Sequence, residues 1–222
     1  LESCATGMCF ILFYLSLLRS YQDKRAPGIA FYSFACLGIA SLFFVQILYF
    51  VPFLWILMAS NMMALTHRMF WATVLGLVMP YWFAVGYYVV TNQFDAFIDH
   101  FAELAQFEPL LQYEALDIHR IATFGLVVLL AVIGIIHYMR NSYQDKIRTR
   151  MIFEMFITVD ILSFVFIILQ PQHFDNLLPI IIVNTSCLFA HYVALTRTWL
   201  TNVTFIVMCL ATLGLTIFNL MP

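Results

Sequence analysis

A carboxylate in the middle of a long apolar run holds the sharpest chemical potential in this chain. Asp160 stands near the centre of Met151–Leu169. In hydrocarbon such a group costs several kcal/mol unless it is protonated or paired. No Lys or Arg lies at matching depth, whereas Asn184, Thr185 and Ser186 do, on the next apolar run. The set suits a proton or cation site, or an acceptor for a bound headgroup. It also suits an Asp that simply ties two helices together by hydrogen bonds.

A second constellation is Asp117-Ile118-His119-Arg120. At the start of a helix, Asp117 and His119 can face one mouth, and Arg120 can pair with a phosphate or a carboxylate. That arrangement suits acid/base chemistry or phosphate recognition on a lipid-linked substrate. The plainer reading is a helix start capped by Asp117, with Arg120 reaching for the interface. A third feature is the acidic face of 92–107. Asp95, Asp99 and Glu103 lie mostly opposite Phe94, Phe97, Ile98, Phe101 and Leu104, which recur every three or four residues. An amphipathic helix follows, lying along an interface or over the mouth of a bundle, with acids free to dock a partner.

Histidines raise the question of haem. His119 and His137 share a helix face but stand about 27 Å apart, too far to bind one iron. His173 and His191 would have to supply second ligands, and His191 is expected a full turn deeper than His137. No glycine pattern marks a porphyrin slot, so no cofactor is expected. Five cysteines, Cys4, Cys9, Cys36, Cys187 and Cys209, lie in apolar runs without paired spacing. They read as small buried hydrophobes, not as disulfides or metal ligands. There is no Walker loop, nucleophile elbow or zinc-type His/Glu pair.

The elements that position these residues follow from composition. The chain is 64% hydrophobic and 10% charged, with mean hydropathy +0.93, against about 45–50% and about 25% for soluble domains. The net charge of −2 hides an asymmetry. Nine of the ten Lys and Arg residues fall in every second gap between apolar runs: Arg19, Lys24 and Arg25; Arg68; Arg140, Lys146, Arg148 and Arg150; Arg197. The positive-inside rule produces that alternation when a chain is threaded through a bilayer. The basic loops are then cytoplasmic, and the acidic segment 92–117 and the C-terminus external. His67, Arg68, Asp145, Lys146 and Arg148 form a collar suited to orientation and to contact with anionic lipid. No long basic face exists to neutralise phosphates, so nucleic acid is not a partner.

A helical span needs roughly 17–25 apolar residues. Cys4–Leu18, Gly28–Val45, Ile47–Ala59, Phe70–Thr91, Ile118–Tyr138, Met151–Leu169, Leu177–Leu195 and Val203–Leu220 compete for that role. The fold class is an all-α polytopic transmembrane bundle of about eight membrane segments, or six plus a re-entrant hairpin over 28–59. Residues 1–222 form one integral-membrane domain, and the abrupt start at Leu1 suggests that the chain's own N-terminus lies upstream. SYQDK occurs twice, at Ser20–Lys24 and Ser142–Lys146, each just after a span. Like-sided loops draw on similar residues, so this is weak support for an internal duplication.

The stretches GIAFYSFACLGIASLFFVQILYFVPFLWILM, FWATVLGLVMPYWFAVGYYVVTNQF, DIHRIATFGLVVLLAVIGIIHYMRNSYQDKIRTRM and FAHYVALTRTWLTNVTFIVMCL resemble an uncharacterised family of multi-spanning bacterial inner-membrane proteins, LGLVMPYWF most specifically. The resemblance implies a cell-envelope protein of the inner membrane whose native N-terminal spans lie upstream of Leu1, and it carries over no functional residue. A basic turn, a Gly-containing span and a Pro-containing span are also similar to the middle of polytopic glycosyltransferases that use lipid-linked sugars.

Three functions remain open. The protein could handle a lipid-linked or glycan substrate externally through Asp117, His119 and Arg120. It could be a non-catalytic scaffold or assembly subunit that docks a membrane partner through Asp95, Asp99 and Glu103. It could be a proton-coupled transporter built on Asp160 and Asn184.

Overall fold

A computed structural model describes residues 2–105, 117–195 and 199–220. Every regular element among them is a helix. Nine α-helices follow one another: α1 Glu2–Leu17, α2 Pro27–Phe43, α3 Val51–Ser60, α4 His67–Val90, α5 Phe94–Ala105, α6 Ile118–Asn141, α7 Ile147–Leu169, α8 Phe174–Leu195 and α9 Trp199–Leu220. Six helical stretches are long and apolar enough to cross a membrane: those of α1, α4, α6, α7, α8 and α9. The protein is an all-α helical bundle of multi-pass character, as the hydropathy pattern predicts.

The chain forms two compact units. Unit 1 comprises 1–110 and 175–180, and unit 2 comprises 111–174 and 181–222, so α8 is shared between them.

Unit 1 is organised around α2, which packs against α1 and α4. Contacts advance together along α2 and α4: Gly76 meets Phe31 and Ala35, and Gly38 meets Leu77 and Pro80. The two helices therefore run parallel. A Cβ on Gly76 would overlap the Phe31 carbonyl oxygen, and one on Gly38 would lie 2.5 Å from the Leu77 carbonyl oxygen. Close backbone approach at small residues is how helices gain dispersion contact in lipid, where no hydrophobic drive separates them from acyl chains. Pro80 does not break α4. Its ring packs inward on Gly38, in a helix whose freed backbone is covered by a neighbour.

Residues 28–59 fold as a hairpin. After α2 the chain is extended at Phe44, turns through a 3-10 segment, Val45–Phe50, and enters α3. Pro52 sits in the first turn of α3, where its missing N–H costs nothing. Both limbs are shorter than the six long helices. The ends close where the Gln22 amide donates to the Met62 carbonyl at 3.0 Å. Gln22 (φ 57°) and Met63 (φ 49°) flank this closure in the left-handed region. Tyr81 of α4 donates to Ser41 near the end of α2 at 2.7 Å, yet α4 continues for nine residues, roughly 14 Å further. The hairpin thus stops short of the full length of α4.

The amphipathic helix α5 covers that tip. The His100 ring is 3.0 Å from the Ser41 carbonyl oxygen, and the Tyr49 hydroxyl donates to the Leu104 carbonyl. Phe97 and Phe101 pack on Tyr81, with ring centroids at 6.5 and 5.1 Å. Between the two expected positions, an interface or a bundle mouth, unit 1 shows α5 seated on its own hairpin.

In unit 2, α7 runs antiparallel to α6 and α8. Tyr138 pairs with Phe153 and Phe124 with Phe164, while Phe153 pairs with His191 and Phe166 with His173. Against α6, α9 is antiparallel: His119 stacks on Phe218 at 4.4 Å, and Asn219 donates to Thr123 at 3.2 Å. The outer face of α9 leaves Ile206, Leu210 and Leu213 more than half exposed, as a helix facing acyl chains requires.

Candidate functional site

Asp160 lies on the inner face of α7, one helical turn before Ser163, and is fully buried. Its carboxylate accepts from the Thr185 hydroxyl of α8, at 3.2 Å to Oδ2 and 3.4 Å to Oδ1. Both distances are long for an O–H donor, so one shared hydrogen serves two oxygens weakly. Among the described residues no cation meets this carboxylate. Of the three polar residues expected opposite it, Thr185 is the one that reaches it. Ser186 is exposed and donates to the Val183 carbonyl of its own helix. Asn184 is fully buried, and neither its Oδ1 nor its Nδ2 has a partner among the described residues. An orphaned amide in a core costs roughly 1–3 kcal/mol and calls for an explanation beyond packing.

Thr185 has a second role. It lines a cavity of about 400 Å³ between α6, α8 and α9, with Val127, Leu130, Ile182, Phe189 and Phe205. The walls are almost wholly apolar. Thr185 thus both lines this cavity and donates to the Asp160 carboxylate.

The other expected residues stand apart from this centre. Asp95, Asp99 and Glu103 are all exposed on α5. Asp117 occupies the N-cap position of α6, but its side chain makes no capping bond. This corrects the expectation of a side-chain cap. His119 is half-buried; its ring lies on Phe218 and its Nδ1 is buried without a partner among the described residues. Arg120 is also half-buried. Glu108, Glu114, Pro109 and Arg197 lie outside the described residues.

Two further expectations change. His191 is not a turn deeper than His137: their rings meet edge to face, with centroids 5.8 Å apart. The Nε2 of His191 pairs with Asp145 Oδ2 at 3.0 Å, and the His191 Nδ1 is buried without a partner. Nothing in the sequence spacing announced this pairing, because Asp145 comes from the turn between α6 and α7 and His191 from the far end of α8. The cysteines are free, but Cys4 and Cys209 are exposed and the other three half-buried. The two exposed ones sit where a thiol is as acceptable to lipid as any small apolar group. No group of three or more His, Cys, Asp and Glu side chains able to hold a metal ion occurs among the described residues.

His100 was also invisible as a positioning group. Its only sequence cue is its place between Phe97 and Leu104 on the inward side of α5.

Comparison with family models, with curated proteins and with solved structures finds no match for this chain. What is established is a multi-pass, all-α membrane protein.

Proposed function

We propose that this protein is a proton-coupled transporter of a bacterial inner membrane, a member of the uncharacterised envelope family it resembles. Its basic loops are cytoplasmic, and its 92–117 segment and C-terminus external. The charge alternation supports that orientation.

The observation that carries the activity is the burial of Asp160 in mid-span, held by one long hydroxyl contact to a residue that also walls a cavity. Intramembrane carboxylates facing a bundle interior mark proton and ion pathways. A group so weakly held can keep its proton in one state and release it, or meet a cationic cargo, in another. Asn184, beside Thr185 on α8, adds an amide whose two polar atoms have no partner among the described residues.

Purified protein in pyranine-loaded liposomes tests this. Wild type should acidify the lumen along an imposed gradient when its cargo is supplied from a panel of small solutes. Asp160→Asn should abolish that movement and leave the melting temperature in detergent unchanged. Equal flux in wild type and variant, or none in wild type across the panel, refutes the reading.

A second reading has its own support. All three acids of α5 point outward while His100 and Tyr49 pin the helix on unit 1, a geometry that suits a scaffold subunit presenting Asp95, Asp99 and Glu103 to a partner. Handling of a lipid-linked or glycan substrate through Asp117, His119 and Arg120 draws less support, since the His119 ring is taken up by Phe218.

A further inference from the structure

At the end of unit 2 that carries Arg140, Lys146, Arg148 and Arg150, α6 and α8 border a second cavity, of about 520 Å³. Its lining is two-tiered. His137, Arg140 and Asn141 of the last turn of α6, with Tyr192 of α8, form a polar rim, and Ile133 and Ile136 form an apolar wall one turn deeper in the span.

Arg140 is exposed, and among the described residues no carboxylate or other group engages its guanidinium. The nearby carboxylate, Asp145, is held by His191. The Asn141 amide nitrogen lies 3.0 and 3.4 Å from the two ring nitrogens of His137. The rim thus offers the planar fork of donors on Arg140, which no acid among the described residues engages.

Such a rim fits a phosphate diester, which guanidinium binds through paired hydrogen bonds. A free phosphate has no use for the isoleucine wall beneath. A phospholipid presents the same order as the cavity: phosphate at the interface, then glycerol, then acyl chain. The surrounding Lys146 and Arg148 raise the local concentration of anionic lipid. We propose that this cavity seats the headgroup of an anionic phospholipid, with the Arg140 guanidinium on its phosphate and Ile133 and Ile136 against the first methylenes of its chain. The seat involves neither Asp160 nor Thr185, so it stands or falls separately from transport.

Native mass spectrometry of the detergent-solubilised chain tests it, with phosphatidylglycerol and phosphatidylcholine of identical acyl chains as probes. Phosphatidylglycerol should bind in preference. Arg140→Gln should weaken its binding about tenfold. Arg68→Gln, which removes a base from the start of α4 in unit 1, should leave it unchanged. Inorganic phosphate at millimolar concentration should not displace the lipid. Equal losses for Arg68→Gln and Arg140→Gln would reveal a diffuse basic collar and overturn the site. Displacement by inorganic phosphate, or equal binding of phosphatidylcholine, would overturn the lipid assignment.

Discussion

The two units bury different polar groups. In unit 1 they are mostly hydroxyls, and four of them are satisfied locally: Ser20 donates to Leu17, Ser33 to Ile29, Ser41 to Gly38 and Thr73 to Phe70, each on a carbonyl of the preceding turn, while the Thr6 hydroxyl has no partner among the described residues. A hydroxyl can do this because its single hydrogen reaches back one turn. Longer-range bonds, Tyr81 to Ser41 and Trp55 to Thr73, then tie helix to helix. Unit 2 buries hydroxyls too, and Ser163 donates to Val159 of its own helix, but it adds a carboxylate, an amide and an imidazole, which cannot be quieted within their own helix. Asp160 depends on α8, His191 on Asp145, and Asn184 on nothing described. Unit 1 reads as packing fixed by shape. Unit 2 reads as packing that tolerates unsettled polar chemistry, the usual mark of a working site.

Mutations can break this contrast, beginning with the most severe. Gly76→Leu should cost unit 1 several kcal/mol, because the clash is with the backbone of α2 and not with a yielding side chain. Loss of the monodisperse peak on size-exclusion chromatography would report it. Gly214→Ala, with open space around it in α9, should be neutral or stabilising by up to about 1 kcal/mol.

In unit 2 the expected pattern is non-additive. Thr185→Val should cost about 1–3 kcal/mol by leaving the carboxylate without its donor. Asp160→Leu combined with Thr185→Val should recover much of that loss, since an apolar pair leaves nothing unsatisfied. Additive thermal unfolding energies for the two changes would show that the residues are not coupled.

Smaller effects sharpen the picture of α5. Tyr81→Phe should lower stability by about 1 kcal/mol, read from a thermal melt. His100→Ala should raise amide hydrogen exchange across 94–105 and leave exchange in α6–α8 unchanged. Replacing Asp95, Asp99 and Glu103 together by Lys should move stability by less than about 0.5 kcal/mol per site, since all three face outward. Release of a co-purifying partner by that triple variant would favour the scaffold reading over transport.

Much of the frame was legible beforehand. The long helices appear where the apolar runs stand, within a turn at most ends, because hydrocarbon leaves the backbone no alternative to helix. α5 was legible from its three- and four-residue spacing. Asp160 was legible as an anomaly, since a carboxylate in an apolar run needs no partner in view to be noticed. Its choice of Thr185 over Asn184 and Ser186 was not legible, because three successive residues point in three directions and helix rotation selects among them. Nor was the meeting of His137 with His191, which depends on the stagger of α6 against α8. The repeated SYQDK is instructive in the same way. In the first copy Gln22 takes a left-handed φ and bonds to Met62; in the second, Gln144 lies in a 3-10 turn. Identical residues fold differently because the hairpin end at Met62 is beside one copy only.

The sequence alone determined the solvent this chain requires, the run of its long helices and the presence of an uncompensated acid at mid-depth. Those are properties of transfer from water to lipid, and they add up residue by residue. Tertiary structure decided that 28–59 folds as a hairpin beneath α5, which hydroxyl serves Asp160, and that Arg140 borders a cavity between α6 and α8. Those outcomes depend on helix rotation and stagger, set by close contacts at Gly38 and Gly76 in unit 1 and at Gly134 against Leu188 in unit 2, and no single run of residues encodes them.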